Sequence, residues 1–352
     1  MRILALEKKL KKKICFLTKS GSTAIYLLIK SLEIRNKLIL IPANICFDVV
    51  LVILFSGNKP QVLDVDHNQC LSYKSLKKYK NNKKIGAIIY PYMYGNYGEV
   101  FKIKNFAKKK NIHFIEDIAP SLGLKVSGKY AGSISDFSIC SFGKGKIIDM
   151  NIGGSLNINS EYLYKKVKYH YSKLDFFSKK LKKKQNDLID IYNGITSNRI
   201  KKKEFEIARL NRFKKCMISK YSFDRNYLRI LNKKILQIKK INFHRNNKAK
   251  IFQKTIKNNN IKLIKHNEGG VYWRQNALLK KDRDKLQKYL FLKNIYARNY
   301  FPTLDQVFPF IYDKNIPLAK TFQRGVLNFW VGEQTSKKDI IETNMHINNF
   351  FK

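Results

Sequence analysis

The chain has 352 residues, of which 44% are apolar, so it can bury a large core and is expected to be globular. Its 71 lysines and arginines against 25 acidic residues give a formal net charge of +46. The lysines are spread over every segment, which indicates a general compositional bias and argues against a specific nucleic-acid site.

The cysteines and histidines give no sign of a metal centre. The five cysteines form no CxxC pair, and the six histidines show no metal-ligand spacing. We therefore expect reduced thiols and a cytoplasmic location. The first residues, MRILALEKKLKKKICFL, include a basic region but lack the apolar core and cleavage site of a signal peptide.

Short apolar runs alternate with helical or loop segments from residue 14 to about 155. They read ICFLT, KLILI, QVLDVD, IGAIIY, IHFIED and DFSICSF. Nearly continuous apolar runs with room for crossovers are typical of a mostly parallel sheet that is covered on both faces. We therefore predict an α/β fold, in which ligands lie at the carboxyl ends of the strands.

Residues 38–55, LILIPANICFDVVLVILF, are apolar enough to resemble a membrane span. Pro42, Asn44 and Asp48 interrupt the run. A buried strand, a polar turn and a buried helix are therefore expected here, and no membrane span.

The sequence becomes richer in lysine after Gly154, and residues 178–204 are expected to be weakly structured, as a loop or an interface arm. A second apolar and aromatic region follows from about residue 226. We therefore predict a large domain over residues 1–225 and a smaller α+β domain over residues 226–352.

Small and polar residues follow several of the predicted strands. TKSGSTAIYLL precedes a helix expected to begin near Thr23, and helix N-terminal amides with hydroxyl groups can hold a phosphate. Serine and threonine are also common N-caps, so this signal is weak alone. Asp117 ends a predicted buried strand, where a carboxylate needs a cationic or hydrogen-bonding partner.

Two lysines, Lys144 and Lys146, follow the last predicted strand in CSFGKGKIIDMNIGG. Chance alone can place lysine there in a chain so rich in it, so the surrounding spacing has to decide. The segments SGSTA, IPANICF, DVD, YMYGN, EDIAPSLG, GKYAG, SFGKGK and GG follow one another in an order that resembles the DegT/StrS sugar aminotransferases. Those enzymes use pyridoxal phosphate and have the aspartate aminotransferase fold.

The resemblance implies a role for each matched residue. The family's cofactor-linking lysine lies four residues after the Phe of SF and falls at Lys146, whereas Lys144 does not fit. Lys146 would bind pyridoxal 5′-phosphate and move the substrate proton, and Asp117 would keep the pyridine nitrogen protonated. The remaining expected contacts are Gly21, Ser22, Thr23 and Ser141 for the cofactor, and Tyr92, Asn198 and Arg199 for the substrate.

Three positions depart from the family pattern. Pro120 stands in place of the usual Gln, so it can make no side-chain hydrogen bond to the cofactor it would adjoin. Cys46, with Phe47 beside it, falls where an aromatic residue normally stacks on the cofactor ring. Ile152 replaces a Glu. These departures affect the expected substrate geometry more than the cofactor.

The resemblance implies transfer of an amino group from glutamate to a nucleotide-linked keto sugar, for surface glycan or related amino-sugar biosynthesis. Related dehydratases have histidine in place of the lysine, so Lys146 argues against dehydration. The alternatives are a cofactor-free member of the fold or a basic protein that binds nucleic acid or acidic glycan. The net charge favours these, and the spacing of Asp117 and Lys146 opposes them.

The resemblance also implies a homodimer. The segment YNGITSNR, residues 192–199, is then a candidate arm that brings Asn198 or Arg199 to the ligand of the partner subunit. A solvated loop is an equally good interpretation of these two residues.

Overall fold

The structure is a computed structural model and describes residues 1–256, 258–311 and 315–352. Its strands are β1 (Ile14–Thr18), β2 (Leu38–Pro42), β3 (Lys59–Leu63), β4 (Ile85–Pro91), β5 (His113–Asp117), β6 (Lys125–Val126), β7 (Lys129–Tyr130), β8 (Phe137–Ser141), β9 (Gly154–Ile158), β10 (Ile261–Leu263), β11 (Gln275–Leu279) and β12 (Val326–Phe329). Its helices are α1 (Leu4–Leu10), α2 (Gly21–Ser31), α3 (Phe47–Phe55), α4 (Tyr73–Lys77), α5 (Val100–Lys109), α6 (Glu161–Ser172), α7 (Lys179–Thr196), α8 (Ile207–Leu210), α9 (Lys214–Met217), α10 (Arg225–Leu236), α11 (Ile238–Thr255), α12 (Arg283–Leu292), α13 (Leu304–Val307), α14 (Pro317–Gly325) and α15 (Lys337–Phe350).

A seven-stranded sheet with the order β1-β9-β8-β5-β4-β2-β3 forms the centre of the fold. The neighbours from β8 to β3 pair in parallel, and β9 runs antiparallel to both β8 and β1. Each of the six predicted apolar runs overlaps one of these strands. The predicted α/β fold with a mostly parallel sheet is therefore confirmed.

A second, antiparallel sheet has the order β10-β11-β12 and packs with α11, α12 and α15 around a separate core. This sheet and its helices lie within residues 226–352, where we predict the smaller α+β domain. Leu231 and Ile235 of α10 and Ile238 of α11 pack into the core beside the large sheet. The domain boundary near residue 225 stays a prediction.

The apolar run over residues 38–55 folds as predicted. It forms β2, a polar turn and α3, and nearly every apolar side chain of α3 is buried. Among the residues that the structure describes, no helix has both the length and the apolar character needed to cross a membrane.

The expectation of a weakly structured segment at residues 178–204 is wrong, because most of it is the 18-residue helix α7. Leu188, Tyr192 and Ile195 are buried and lie on one face of the helix. The run of lysines at the start of α7 obscures the helical spacing of these apolar residues in the sequence. Tyr192 also stacks on Phe47 of α3 with ring centroids 4.1 Å apart, which holds α7 against α3.

Strand β9, which begins at the second residue of the glycine pair, was not predicted from the sequence. A Cβ on Gly154 would lie only 2.3 Å from the carbonyl carbon of Ser20, so a side chain here would push β9 away from the start of α2. Gly153 has a φ of +124° and donates from its amide to the Lys19 carbonyl oxygen at 2.8 Å. The glycine pair therefore lets β9 close directly onto the loop between β1 and α2.

Candidate active site

The candidate site lies at the carboxyl ends of the strands, where the first turns of α2 and α3 meet the segments that follow β5 and β8. The contact between α2 and β8 is close, because a Cβ on Gly21 would lie 3.4 Å from the Cβ of Ser141. The loop after β1 and the end of β8 are thus neighbours in space although 120 residues separate Gly21 from Ser141 in the sequence.

The first turn of α2 presents free backbone donors to this site. The helix begins at Gly21, two residues earlier than expected, and the Ser20 hydroxyl caps it by accepting from the Thr23 amide at 3.2 Å. In the described chain, the amides of Gly21 and Ser22 donate to no other residue. Two free amides at the positive end of a helix dipole form a site for an anion.

Thr23 is occupied differently from its neighbours. It is fully buried, and its hydroxyl donates to the carbonyl oxygens of Met217 at 3.3 Å and Ser219 at 3.4 Å. Its amide is already capped by Ser20. These contacts attach α2 to the segment after α9, and the cofactor contact of Thr23 stays a prediction.

Lys146 lies in a tightly held loop after β8, whereas Lys144 is exposed. The Gly145 amide donates to Asp149 Oδ2 at 2.7 Å, and the Gly145 carbonyl oxygen accepts from Trp273 Nε1 at 2.7 Å. The Lys146 ammonium lies 5.8 Å from the centroid of the Trp273 ring. The loop is thus held by Asp149 within it and by Trp273 from the C-terminal part of the chain, and Lys146 lies on the side of Trp273.

Asp117 ends β5 as a buried carboxylate. Its Oδ1 accepts from the Ala119 amide at 2.9 Å, and no described residue donates a hydrogen bond to Oδ2. Burial raises the pKa of Asp117, while the Ala119 hydrogen bond and the positive charge of Lys146 act in the opposite direction. Asp117 and Lys146 are therefore close enough to interact, and one carboxylate oxygen is free for a further donor.

Two charged residues that the sequence did not identify as functional lie beside this pair. Burial raises the pKa of Asp48, in the first turn of α3, while Lys146, Lys19 and the Ser22 hydroxyl lower it. Asp48 therefore lies among the residues expected to hold the cofactor. The only sequence signal was an acidic residue within an otherwise apolar run.

Lys19 is the second of these residues, and it is buried, with 2% of its surface exposed. It donates to the Cys216 carbonyl oxygen at 2.5 Å and lies 3.9 Å from the Phe177 ring centroid. Burial lowers the pKa of Lys19 to about 8, against the attraction of Cys216 and Asp48. The chain thus contains a buried lysine directly before the first turn of α2.

The two departures from the family pattern that adjoin Asp117 and α3 also lie in this region. Cys46 is the N-cap of α3, and burial raises its pKa to about 12, so its thiol is neutral at physiological pH. Phe47 points away, against Tyr192. Pro120 is buried in the turn after β5. Neither Cys46 nor Pro120 supplies an aromatic ring or an amide to a ligand.

Tyr92, a predicted substrate contact, lies in the core, and its proposed role stays a prediction. Tyr92 is 0% exposed, and its hydroxyl donates to Glu116 Oε1 at 2.6 Å. Glu116 also accepts from the amides of Gly132 at 2.7 Å and Ser135 at 2.6 Å. Tyr92 and Glu116 therefore belong to a buried hydrogen-bond network that fixes the loop before β8.

Asn198 and Arg199 are exposed at the end of α7 and line a cavity of about 790 Å³, apart from Lys146. Tyr192, Arg298 and Tyr300 line the same cavity. A second cavity, of about 840 Å³, lies between the Lys146 loop and the C-terminal unit and is bordered by Trp330. Asn198 and Arg199 therefore line a different cavity from the one that Lys146 borders.

The donors and acceptors of the site fit pyridoxal phosphate. The free amides of α2, with the hydroxyls of Ser22 and Ser141, suit a phosphate group. The free oxygen of Asp117 suits a protonated ring nitrogen, and Lys146 supplies an amine for the aldehyde. Among the described residues, no cluster of three or more potential metal ligands was found.

The fold and these residues define a class of vitamin B6 enzymes, and comparison with known proteins gives the family. The chain belongs to the DegT/DnrJ/EryC1/StrS aminotransferase family, which matches residues 4–343. It is 33% identical over 151 residues to the UDP-4-amino-4,6-dideoxy-N-acetyl-beta-L-altrosamine transaminase of Campylobacter jejuni, covering 42% of this chain and 40% of that protein.

Two further similarities concern the cofactor and the fold. A protein of Bacillus subtilis named a putative pyridoxal phosphate-dependent aminotransferase is 27% identical over 159 residues, which are 43% of this chain and 40% of that protein. The chain thus matches about two fifths of the length of each of these relatives. The structure of DesV from S. venezuelae has the same fold, with a TM-score of 0.78 at 15% identity, and covers 99% of this chain and 87% of its own.

Lys19 predicts a change of stability with pH. The unfolded chain keeps this proton up to a pKa of about 10.5, whereas the folded chain loses it near 8. Between these values the unfolded state binds more protons, so folding becomes more favourable as pH rises. Between these two pH values, we expect the free energy of unfolding of the wild type to rise by up to about 3 kcal/mol relative to that of Lys19→Met.

Chemical denaturation of both proteins without cofactor, from pH 7 to 10.5, measures this difference. Lys144→Met, which removes an exposed lysine, is the matched control and should follow the wild type. Parallel stability curves for wild type and Lys19→Met would contradict the buried state of the ammonium.

Proposed function

We propose that this chain is a pyridoxal-phosphate-dependent aminotransferase that moves an amino group from glutamate to a keto sugar carried by a nucleoside diphosphate. The observation that carries the proposal is the meeting of Lys146 and Asp117 beside the free amides at the start of α2. The similarity to a transaminase named for a UDP-linked amino sugar supports this substrate class.

The proposal gives each side chain a distinct task. Pyridoxal phosphate supplies an electron-accepting ring that stabilises negative charge at the substrate carbon. The amides of Gly21 and Ser22, with the hydroxyls of Ser22 and Ser141, bind the phosphate. Asp117 Oδ2 holds a proton on the ring nitrogen, and Lys146 Nζ takes up and returns the substrate proton.

Purified protein incubated with pyridoxal phosphate should acquire visible absorbance that survives gel filtration. Adding glutamate with a panel of UDP-, GDP- and dTDP-linked keto sugars should then release 2-oxoglutarate with one of them and form the amino sugar. Protein that binds the cofactor but turns over none of these sugars would remove the substrate part of the proposal. Protein that binds no cofactor would remove all of it.

Asp48→Asn should bind pyridoxal phosphate more tightly. An ionised Asp48 beside Ser22 repels the phosphate, so its removal should lower the Kd by about threefold to tenfold at neutral pH. Burial raises the pKa of Asp48, so at lower pH the carboxyl is neutral and the repulsion is lost. The wild-type Kd should therefore rise with pH through that pKa, and the variant's Kd should rise less.

Spectroscopic titration of cofactor binding at several pH values tests this expectation. Asp136→Asn makes the same charge change at an exposed position after β7 and should behave as the wild type. Weaker binding by Asp48→Asn would mean that Asp48 supports the cofactor site.

The proposal includes a homodimer in the cytoplasm, with Arg199 or Asn198 reaching the ligand of the other subunit. Their exposure at the end of α7, away from Lys146 of the same chain, supports such a role. Mixing Lys146→Ala with Arg199→Ala protein, after reversible dissociation, should restore part of the lost activity, because one hybrid site has both residues intact. No recovery on mixing, in dimers shown to exchange subunits, would place Arg199 outside the site.

A further inference from the structure

Arg274, directly before β11, is a buried cation for which no described residue supplies a hydrogen-bond acceptor. The residue is 4% exposed, and in the described chain neither Nε nor Nη1 donates to any acceptor. Buried arginines normally satisfy their donors, because an unpaired buried charge is costly. Arg245 shows the ordinary case, since its Nε and Nη2 donate to the carbonyl oxygens of Tyr272 at 3.0 Å and Trp273 at 2.8 Å.

Aromatic rings surround the guanidinium of Arg274. Its Cζ lies 3.9 Å from the ring centroid of Trp330, 4.5 Å from that of Trp273 and 5.2 Å from that of Tyr300. Rings stacked on a guanidinium cover its faces and leave the N–H groups in its plane for an acceptor. Nη2 is not among the enclosed nitrogens, so an acceptor can reach this end of the group.

The charges around Arg274 leave a local excess of positive charge. The charged groups that act on its guanidinium are Arg298 and Arg245, and both lower its pKa, as burial does more strongly. The hydroxyls of Tyr300 and Tyr94 are its other electrostatic neighbours. A planar, pre-oriented cation with no carboxylate acting on it suits an oxyanion from outside the chain.

Arg274 also lies close to the candidate reaction centre. The Lys146 ammonium and the Arg274 guanidinium both lie over the ring of Trp273, at 5.8 and 4.5 Å from its centroid. The distance between the two cations therefore cannot exceed the sum of these two distances. A substrate of modest size can contact both groups.

We propose that Arg274, held between Trp330 and Trp273, is an anion-binding subsite that takes a carboxylate or phosphate group of a substrate. Its identification as a substrate group rests on the proposed function, whereas the presence of an anion site does not. Two substrate groups could provide this anion, namely the carboxylate of the amino-acid donor and the diphosphate of the nucleotide sugar. Both present paired oxygens to a planar fork of N–H donors.

The chain provides its own reporter for this site. Trp273 and Trp330 are the two tryptophans of the whole sequence, and both contact the Arg274 guanidinium. Titrating the purified protein, with and without pyridoxal phosphate, with glutarate in one arm and UDP in the other should therefore change its tryptophan fluorescence. Both arms use constant ionic strength, and titration calorimetry gives each Kd independently of the rings.

Arg274→Met should raise the Kd for at least one of the two probes by about tenfold to a hundredfold, as expected for a lost charged hydrogen bond. Arg274→Lys, which keeps the charge without the planar fork, should lie between the variant and the wild type. Arg35→Met removes an exposed arginine after α2 and is the matched control, with both values expected within about twofold of wild type.

Each outcome decides the inference. Loss of glutarate binding alone assigns the donor carboxylate, loss of UDP binding alone assigns the diphosphate, and loss of both assigns a site shared by the two half-reactions. Undiminished binding of both probes by folded Arg274→Met protein, or no binding of either probe by the wild type, overturns the inference. Neither probe needs the cofactor, so a chain that lacks the proposed activity can still be tested for the anion site.

Discussion

Replacing Lys146 with alanine is expected to abolish both covalent attachment of pyridoxal phosphate and transamination. Lys146 is the lysine that interacts with the buried Asp117, and its loop is anchored by Trp273 and Asp149. No other group of this loop offers an amine directed toward the site. Borohydride reduction of the loaded wild-type protein, followed by peptide mapping, should place the pyridoxyl group on Lys146.

Lys144→Ala is the matched control, because it removes an exposed lysine from the same loop. It should retain the visible absorbance and most of the activity. Label found on Lys144, or a fully active protein without any label, would mean that the alignment of the loop with the family pattern is wrong.

Asp117→Asn should leave the fold intact and lower turnover by about two to three orders of magnitude. An amide keeps the shape of the side chain, and its oxygen can still accept from the Ala119 amide. It cannot stabilise a protonated ring nitrogen as a carboxylate does, and electrostatic groups in buried sites contribute on this scale. Single-turnover measurements with glutamate, together with circular dichroism, separate lost chemistry from lost structure.

Glu116→Gln provides the contrast for this prediction. Glu116 is the adjacent carboxylate, but it accepts from Tyr92, Gly132 and Ser135 within the core. Its replacement should lower the free energy of unfolding by about 1–3 kcal/mol, because buried donors lose a charged acceptor. The folded fraction should keep its turnover. Near-normal activity in Asp117→Asn would contradict the assignment of Asp117 to the ring nitrogen.

The large sheet was predictable from the sequence because a strand buried on both faces is a nearly continuous apolar run. Strands β1, β2, β4, β5 and β8 all have this character, and the residues that follow them are conspicuously small or polar. The positions of Lys146 and Asp117 followed from spacing to such strand ends. Both residues lie where that spacing put them, and their roles stay predictions.

Other features depend on contacts that sequence patterns do not show. Tyr92 follows a strand, as a ligand contact would, but its hydroxyl is taken by Glu116 in the core. Helix α7 carries its apolar face on three buried residues among many lysines. Strand β9 has Ser and Asn inside it, at positions whose burial depends on pairing with β1 and β8.

Arg274 and Asp48 could not have been recognised by composition, because charge is common everywhere in this chain. The environment distinguishes them. Nε and Nη1 of Arg274 have no acceptor among the described residues and lie beside two tryptophans 57 positions apart in the sequence, and Asp48 interacts with Lys146. Such features depend on tertiary packing, so a single sequence gives no signal of them.

The pairing of β1 with β9 has a consequence for synthesis of the protein on the ribosome. In the large sheet β1 pairs with β9 and with no other strand, and Leu17 faces Ser155. Strand β1 therefore cannot pair within the sheet until some 140 further residues have been synthesised. Until then the start of α2 lacks its contact with β9. Nascent chains that end before residue 158 should therefore be unable to retain the cofactor.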